Sequence, residues 1–235
     1  MKRVYKSVET RPVEGGWSVV LDGRPLRTPA RRELCVPSEK LAAAIAGEWD
    51  AQDPDIRPET MPLTRLATTA IDRTADKRAE IAVDVANYAG TDLVCYRADH
   101  PPALAMRQEA VWQPLIDWAA GRYDAGLAVT TGVVPQPQSP TSLKTYATVV
   151  AALDNFRLTA LQAATAACGS LIIALALYEE RLDADAAFEA SQLDETFQIE
   201  AWGEDAEAAQ RRALLAADIK SAARFFELLG EASLV

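Results

Sequence analysis

Hydrophobic and polar positions change period once along this chain. Up to about residue 36 they alternate in twos, and beyond it they recur at threes and fours. Val4 to Val8 reads as a short strand. Glu14-Gly15-Gly16 turns the chain into WSVVL at 17–21, and Asp22-Gly23, two residues that tolerate positive φ, marks a hairpin. Pro25 and Pro29 each lack an amide donor, so RPLRT (24–28) and RELCV (32–36) are expected at sheet edges. The result is a small antiparallel meander with one face to be covered.

A helix over 37–52 supplies the cover. Ser38 caps it, and Leu41, Ile45 and Trp49 repeat at four-residue steps on one side. MPLTRLATTAIDR (61–73) starts the next helix, with an extended entry at Met61-Pro62 and Thr64 as the expected cap. The segment carries no nucleophile, metal ligand or phosphate loop, and its expected role is architectural. A further helix is predicted over 76–90, and DLVCY (92–96) reads as a buried strand.

After His100, from residue 101, the pattern is helical. Pro114 cannot donate to residue 110, so a kink or a fresh helix near Gln113 is expected. LAVTTGVV (127–134) reads as extended and PQPQSP (135–140) as a connector. Helices follow over 142–152, 155–168, 170–181, 184–201 and 204–229, with Asp154 and Asp183 as caps and Gly230 as a stop. The fold class expected is α+β: a small antiparallel-sheet and helix N-terminal domain over 1–100, then an all-helical C-terminal domain over 101–235.

Charge narrows the partners. The 235 residues carry 24 Lys and Arg against 34 Asp and Glu, net −10. No basic stripe is available for phosphates, which excludes nucleic acid. The imbalance is uneven: residues 1–34 hold eight bases against four acids, and residues 179–235 fourteen acids against five bases. That acidic end is either a solvated face or a surface for a partner. The longest apolar run, LIIALALY at 171–178, is too short to span a bilayer and reads as a buried helix.

Candidate chemistry is sparse. Cys35, Cys95 and Cys168 are odd in number and without CxxC spacing, which points to a reducing compartment and away from disulfides and zinc. The single histidine, His100, sits beside Pro101-Pro102 in a loop. No nucleophile-elbow, zincin or P-loop motif is present. The densest carboxylate groups are Glu48-Asp50-Asp53-Asp55 and Glu204-Asp205-Glu207. Neither metal nor cofactor is expected. The tryptophans say more. Trp49 completes the Leu41–Ile45 stripe, which is core spacing. Trp202 stands before Gly203 among acids, where core anchor and interface anchor are equally good readings.

Three segments then become specific together: PLRTPARRELCVPSEKLAAAIAGEWDAQ, RPETMPLTRLATTAIDR and ETFQIEAWGEDAEAAQRR. With them, from Tyr5 to about Leu229, the chain resembles the F₁ assembly-chaperone family of F-type ATP synthase, the factor specific for the α subunit. The resemblance implies a non-enzymatic protein that transiently binds unassembled α subunit and prevents its aggregation until β associates. It implies an acidic functional stretch after the Trp-Gly pair, which here is Glu204, Asp205 and Glu207, with Glu207 the chosen key acid. Trp202 and Trp49 complete the partner-binding set. The opening MKRVYKSVET lacks the apolar run of a signal peptide and the Arg- and Ser-rich pattern of a transit helix. The resemblance therefore implies a bacterial, cytoplasmic version, monomeric and not inserted in membranes, with eukaryotic relatives in the mitochondrial matrix. Two other readings stay open: a carboxylate-based metal-dependent hydrolase, and a scaffold for another oligomeric enzyme.

Overall fold

The computed structural model describes residues 2–132 and 134–230. The chain divides into two compact units. Of the described residues, the first comprises 2–78, 154–160 and 224–230, and the second 79–132, 134–153 and 161–223.

The first unit is built on a four-stranded antiparallel sheet. β1 (Val8–Val13) runs along the whole of β2 (Gly16–Leu21), from Val8 opposite Leu21 to Val13 opposite Gly16. Two short strands share the other edge of β2. β3 (Arg24–Pro25) pairs with Val20 and Leu21, and β4 (Cys35–Val36) pairs with Trp17 and Ser18. Asp22 and Gly23 both take positive φ, 46° and 77°, as a two-residue hairpin turn requires. Gly16 has φ 153°, and a Cβ there would collide with the carbonyl oxygen of Val36, so no other residue fits where β4 crosses.

The expected strand at Val4–Val8 is corrected: β1 begins at Val8, and Val4 is exposed. Residues 3–7 do other work. The amides of Lys6 and Ser7 donate to the Asp22 carboxylate, at 3.0 and 2.8 Å, and so are unavailable to a ladder. The Arg3 guanidinium donates to the carbonyls of Asp50 and Gln52, and the Tyr5 hydroxyl donates to the carbonyl of Trp49 at 2.6 Å. Trp49 and Asp50 end α1 (Glu39–Asp50) and Gln52 follows its C-cap Ala51, so the N-terminal segment caps the helix that covers the sheet.

At the other end of α1, Ser38 Oγ accepts from the Leu41 amide, as the sequence predicts, and donates to the carbonyl of Leu228. Leu41 and Ile45 are fully buried against β1 and β2. Glu48, one turn from the end of α1, reaches the start of α2 (Pro62–Thr69). Its carboxylate accepts from the amides of Leu63 and Thr64, at 2.7 and 2.8 Å, and from the Thr64 hydroxyl at 2.7 Å. Thr64 is therefore inside the helix and not its cap. The cap comes from a distant acid, because Pro62 occupies the first turn and leaves the next two amides free for it. Met61, Leu63, Leu66, Ala67 and Ala70 are all buried, which fits the architectural role expected of this segment.

A single π-helical turn, residues 70–74, joins α2 to α3 (Ala75–Asn87). The β3–β4 loop holds it. Thr28 Oγ1 and the Ala30 amide donate to Asp72, and Arg32 donates to the Ile71 carbonyl and, bidentately, to Asp76. Within the turn the buried Thr74 hydroxyl meets that of Thr159 at 2.7 Å. Thr159 already donates to the carbonyl of Asn155, so Thr74 is the donor of this pair.

The second unit is helical, with one parallel pairing of β5 (Tyr96–Arg97) and β6 (Thr130–Thr131). Its helices are the later part of α3, α4 (Pro102–Tyr123), α5 (Pro140–Ala152), the later part of α6 (Asn155–Cys168), α7 (Leu171–Tyr178), α8 (Ala184–Ser191), α9 (Leu193–Trp202) and most of α10 (Ala206–Leu229). α7 is the centre: Leu171 to Leu177 are all buried.

Three expectations are corrected here. DLVCY is not a strand until Tyr96. Leu93–Cys95 form a 3₁₀ turn, because Asp92 caps it by accepting from the Val94 amide. The same carboxylate, completely buried, accepts from the Ser170 hydroxyl and from the amides of Leu171 and Ile172, the first donors of α7. Pro114 neither ends nor restarts α4, which runs unbroken through it with Trp112, Leu115 and Ile116 buried around the missing donor. The stretch 184–201 is two helices, because Gln192 leaves helical geometry at φ −107° and ψ 20°. Ser139 and Asp183 cap α5 and α8 by accepting the amides of Ser142 and Ala186.

Candidate partner-binding surface

The α9–α10 junction gathers four of the five residues singled out in the sequence. α9 ends at Trp202 because Gly203 follows with φ 84° and ψ 170°, a conformation open to glycine and closed to a continuing helix. The Trp202 side chain is left 81 % exposed. Burial of an exposed indole of this size would remove much apolar area from water at little entropy cost.

The three acids of the turn have different duties. Asp205 accepts from the Ala208 amide at 2.8 Å, and its own carbonyl accepts from the Ala209 amide, so it starts α10. Glu204 pairs with Arg212 at 3.1 Å, about two helical turns further on. Arg212 also donates to Thr196 on α9 at 3.1 Å and lies over the Phe188 ring of α8. The turn is thereby tied to both helices before it. Glu207 is exposed in the first turn of α10, where the helix dipole favours an acid. Of the three it alone holds neither cap nor ion pair among the described residues.

Trp49 is the fifth residue. It lies in the first unit, against the Tyr5–Ile56–Met61 cluster, with its ring centroid 5.8 Å from that of Tyr5. Its Nε1 is buried without a hydrogen-bond partner among the described residues.

The remaining candidates resolve into structural roles. Glu48 caps α2 and Asp50 pairs with Arg3 at 3.1 Å. Asp53 and Asp55 line a shallow pocket of about 240 Å³ with Gln52, Arg57 and Thr60. Among the described residues no group of three or more His, Cys, Asp or Glu is disposed to hold a metal ion. His100 is exposed. Burial pushes the thiols of Cys95 and Cys168 up to about 12, so both are protonated at neutral pH. No described helix is long and apolar enough to cross a membrane.

The sequence pattern did not draw attention to a second feature, the pair Arg107 and Glu200. Arg107 on α4 binds Glu200 on α9 through two bonds of 2.9 Å and stacks over Phe197. The hydrogen bonds hold the Glu200 carboxyl below the usual carboxylate range and raise the guanidinium. The signal that could have found it is the Arg107–Val111–Leu115 ladder at steps of four on α4.

Residues 2–120 match the family described as ATP12 chaperone protein. The curated mitochondrial protein atp12 of Schizosaccharomyces pombe is 25 % identical over 214 residues, 86 % of this chain and 74 % of that protein. The crystal structure of Atp12 from Paracoccus denitrificans superposes with a TM-score of 0.94 at 46 % identity, covering 97 % of this chain and 98 % of that one. An aspartate-to-lysine mutant of the same P. denitrificans protein superposes equally well, with 45 % identity and the same coverage. A protein from Agrobacterium tumefaciens reaches 0.93 at 39 % identity, over 97 % of this chain and 86 % of its own.

Proposed function

The chain belongs to the ATP12 chaperone protein family of ATP synthase assembly, and we propose that its client is the unassembled α subunit of F₁. On this reading it binds α transiently, shields an interface that β will later cover, and is displaced when β arrives. It acts by lending a surface and not by making or breaking bonds. It works as a monomer, in a bacterial cytoplasm, with the mitochondrial matrix the corresponding place for eukaryotic relatives.

The observation that supports the reading best is Trp202, exposed at the tip of α9 and flanked by Glu204, Asp205 and Glu207. An aromatic anchor with acids around it suits a client that offers an apolar pocket rimmed by bases. The interface must also release. A single anchor, with two of its three neighbouring acids already engaged at home, keeps the number of strong contacts small. Trp49 enters this reading as a support for its own unit's surface.

The test is aggregation of isolated α subunit, followed by light scattering with and without the protein and in the absence of nucleotide. Suppression at near-stoichiometric ratio, weakened by Glu207→Lys, is the expected result. Unchanged aggregation at excess chaperone would remove α as the client.

A further inference from the structure

A groove of about 390 Å³ opens between α4, α8 and α9, at the lower end of the size range of ligand pockets. Its floor is apolar: Val111 and Leu115 from α4, Ala186 and Ala190 from α8, and Leu193 from α9. Two charged side chains line it. Arg107 is already neutralised by the bidentate contact with Glu200. Glu189 is exposed and has no hydrogen bond or ion pair among the described residues. The surroundings share its sign. Residues 183–207 contain nine acids and not one lysine or arginine. Some of these acids are engaged, Asp185 by Lys220 and Asp194 by Gln108, but Glu195, two residues from the groove's Leu193, has no partner among the described residues.

Helical periodicity separates this groove from the Trp202 tip. On α9, Leu193, Thr196 and Glu200 fall on one face, and Trp202, nine residues after Leu193, falls about half a turn away. The groove and the tip are two surfaces of one helix.

From the apolar floor and the one unneutralised carboxylate we infer that the groove seats a short client segment bearing bulky apolar side chains next to a lysine or arginine. This rests on the chaperone reading and adds a second contact to it. An apolar side chain would fill the space over Val111, Leu115 and Leu193. The neighbouring cation would meet Glu189. An acidic or purely polar segment would leave Glu189 facing its own sign and the floor wet. The acidic stretch on α8 and α9 would also raise the encounter rate with such a segment, and salt would lower it.

The experiment uses the full chain and two variants. Ala186→Trp fills the groove from its half-exposed rim, and Glu189→Lys reverses the one free charge at an exposed position. Folding of each is checked by thermal melting. Binding is titrated with isolated α subunit, with an amphipathic Leu/Lys peptide, and with a Leu/Glu peptide of the same apolar pattern. The expected result is at least tenfold weaker α binding by both variants, tighter binding of the Leu/Lys than the Leu/Glu peptide, and reversal of that preference by Glu189→Lys. If α binds and both folded variants retain full affinity, the groove is not a client seat although the chaperone reading stands. If α does not bind the parent protein, the chaperone reading fails, and the peptides alone decide the groove. Selective Leu/Lys binding lost in Ala186→Trp supports the site, and equal or absent binding of the two peptides overturns it.

Discussion

Ser170 donates its hydroxyl to the carboxylate of Asp92 at 2.5 Å, from 78 residues further along the chain. With the amides of Val94, Leu171 and Ile172 it makes Asp92 the common cap of a 3₁₀ turn and of the central, wholly buried helix α7. Removing the carboxylate strands four donors in the dry interior. Asp92→Ala is expected to cost about 3–5 kcal/mol in urea unfolding at pH 7, and a loss below about 1 kcal/mol would contradict that role.

The same group gives stability a defined pH dependence. Burial pushes the Asp92 carboxyl up from 3.8 to about 6, against the pull of its four hydrogen bonds. The folded chain then holds the proton over a range where the unfolded chain has lost it. Stability from this group is greatest below pH 4 and falls as pH rises to about 6. The stability difference between the parent protein and Asp92→Asn, followed by denaturation from pH 4 to 7, should fall by about 3 kcal/mol. A flat or rising difference would show that the carboxylate stays ionised throughout. Protonation has a partner at hand, because the Ser170 oxygen, which accepts from the Ile173 amide, can accept from the acid in turn.

Glu48 serves α2 as Asp92 serves α7. Glu48→Ala removes the acceptor for two amides and a hydroxyl and is expected to lower stability by about 1–2 kcal/mol, and Glu48→Gln by less, since it keeps one acceptor oxygen. Equal losses in the two variants would point to packing and not to capping.

Thr74 and Thr159 form an asymmetric pair. Thr74→Val leaves the Thr159 hydroxyl still bonded to Asn155, whereas Thr159→Val strands the Thr74 hydroxyl. The second variant should therefore be worse, about 1–3 kcal/mol against under about 1, with the double variant below their sum. The opposite order would reverse the assigned donor.

At the α9–α10 tip, function and stability should part. Trp202→Ala is expected to change stability by no more than about 0.5 kcal/mol while weakening client capture at least tenfold. Asp205→Ala should lower stability by about 1 kcal/mol through the lost cap of α10. Melting curves paired with the scattering assay read both, and a Trp202→Ala variant that melts early but still captures client would assign the indole to the fold instead.

Sequence pattern revealed local devices and missed distant ones. The Asp22-Gly23 turn, the N-caps at Ser38, Asp154 and Asp183 and the stop at Gly230 each work on backbone within a few residues, and each is legible. Glu48 caps 15 residues away and Asp92 79 residues away, and nothing in the local spacing announces either. Residues 4–8 alternate like a strand, but the amides of Lys6 and Ser7 go to Asp22 and β1 starts only at Val8. Pro114 counts against a helix locally, and in α4 the burial of Trp112, Leu115 and Ile116 outweighs that. At the tip, Trp202 and its acids were visible as residue types, but the division of labour among Glu204, Asp205 and Glu207 depends on Arg212 and on where α10 starts. The α4–α8–α9 groove needed three helices from separate parts of the chain to meet.

The central claim is the identity of the client. Purified protein mixed separately with isolated F₁ α and β subunits, without nucleotide, and resolved by size-exclusion chromatography tests it most directly. A one-to-one complex with α alone, dissociating when β is added, is the predicted result. Co-elution with neither subunit, or with β as readily as with α, would contradict it.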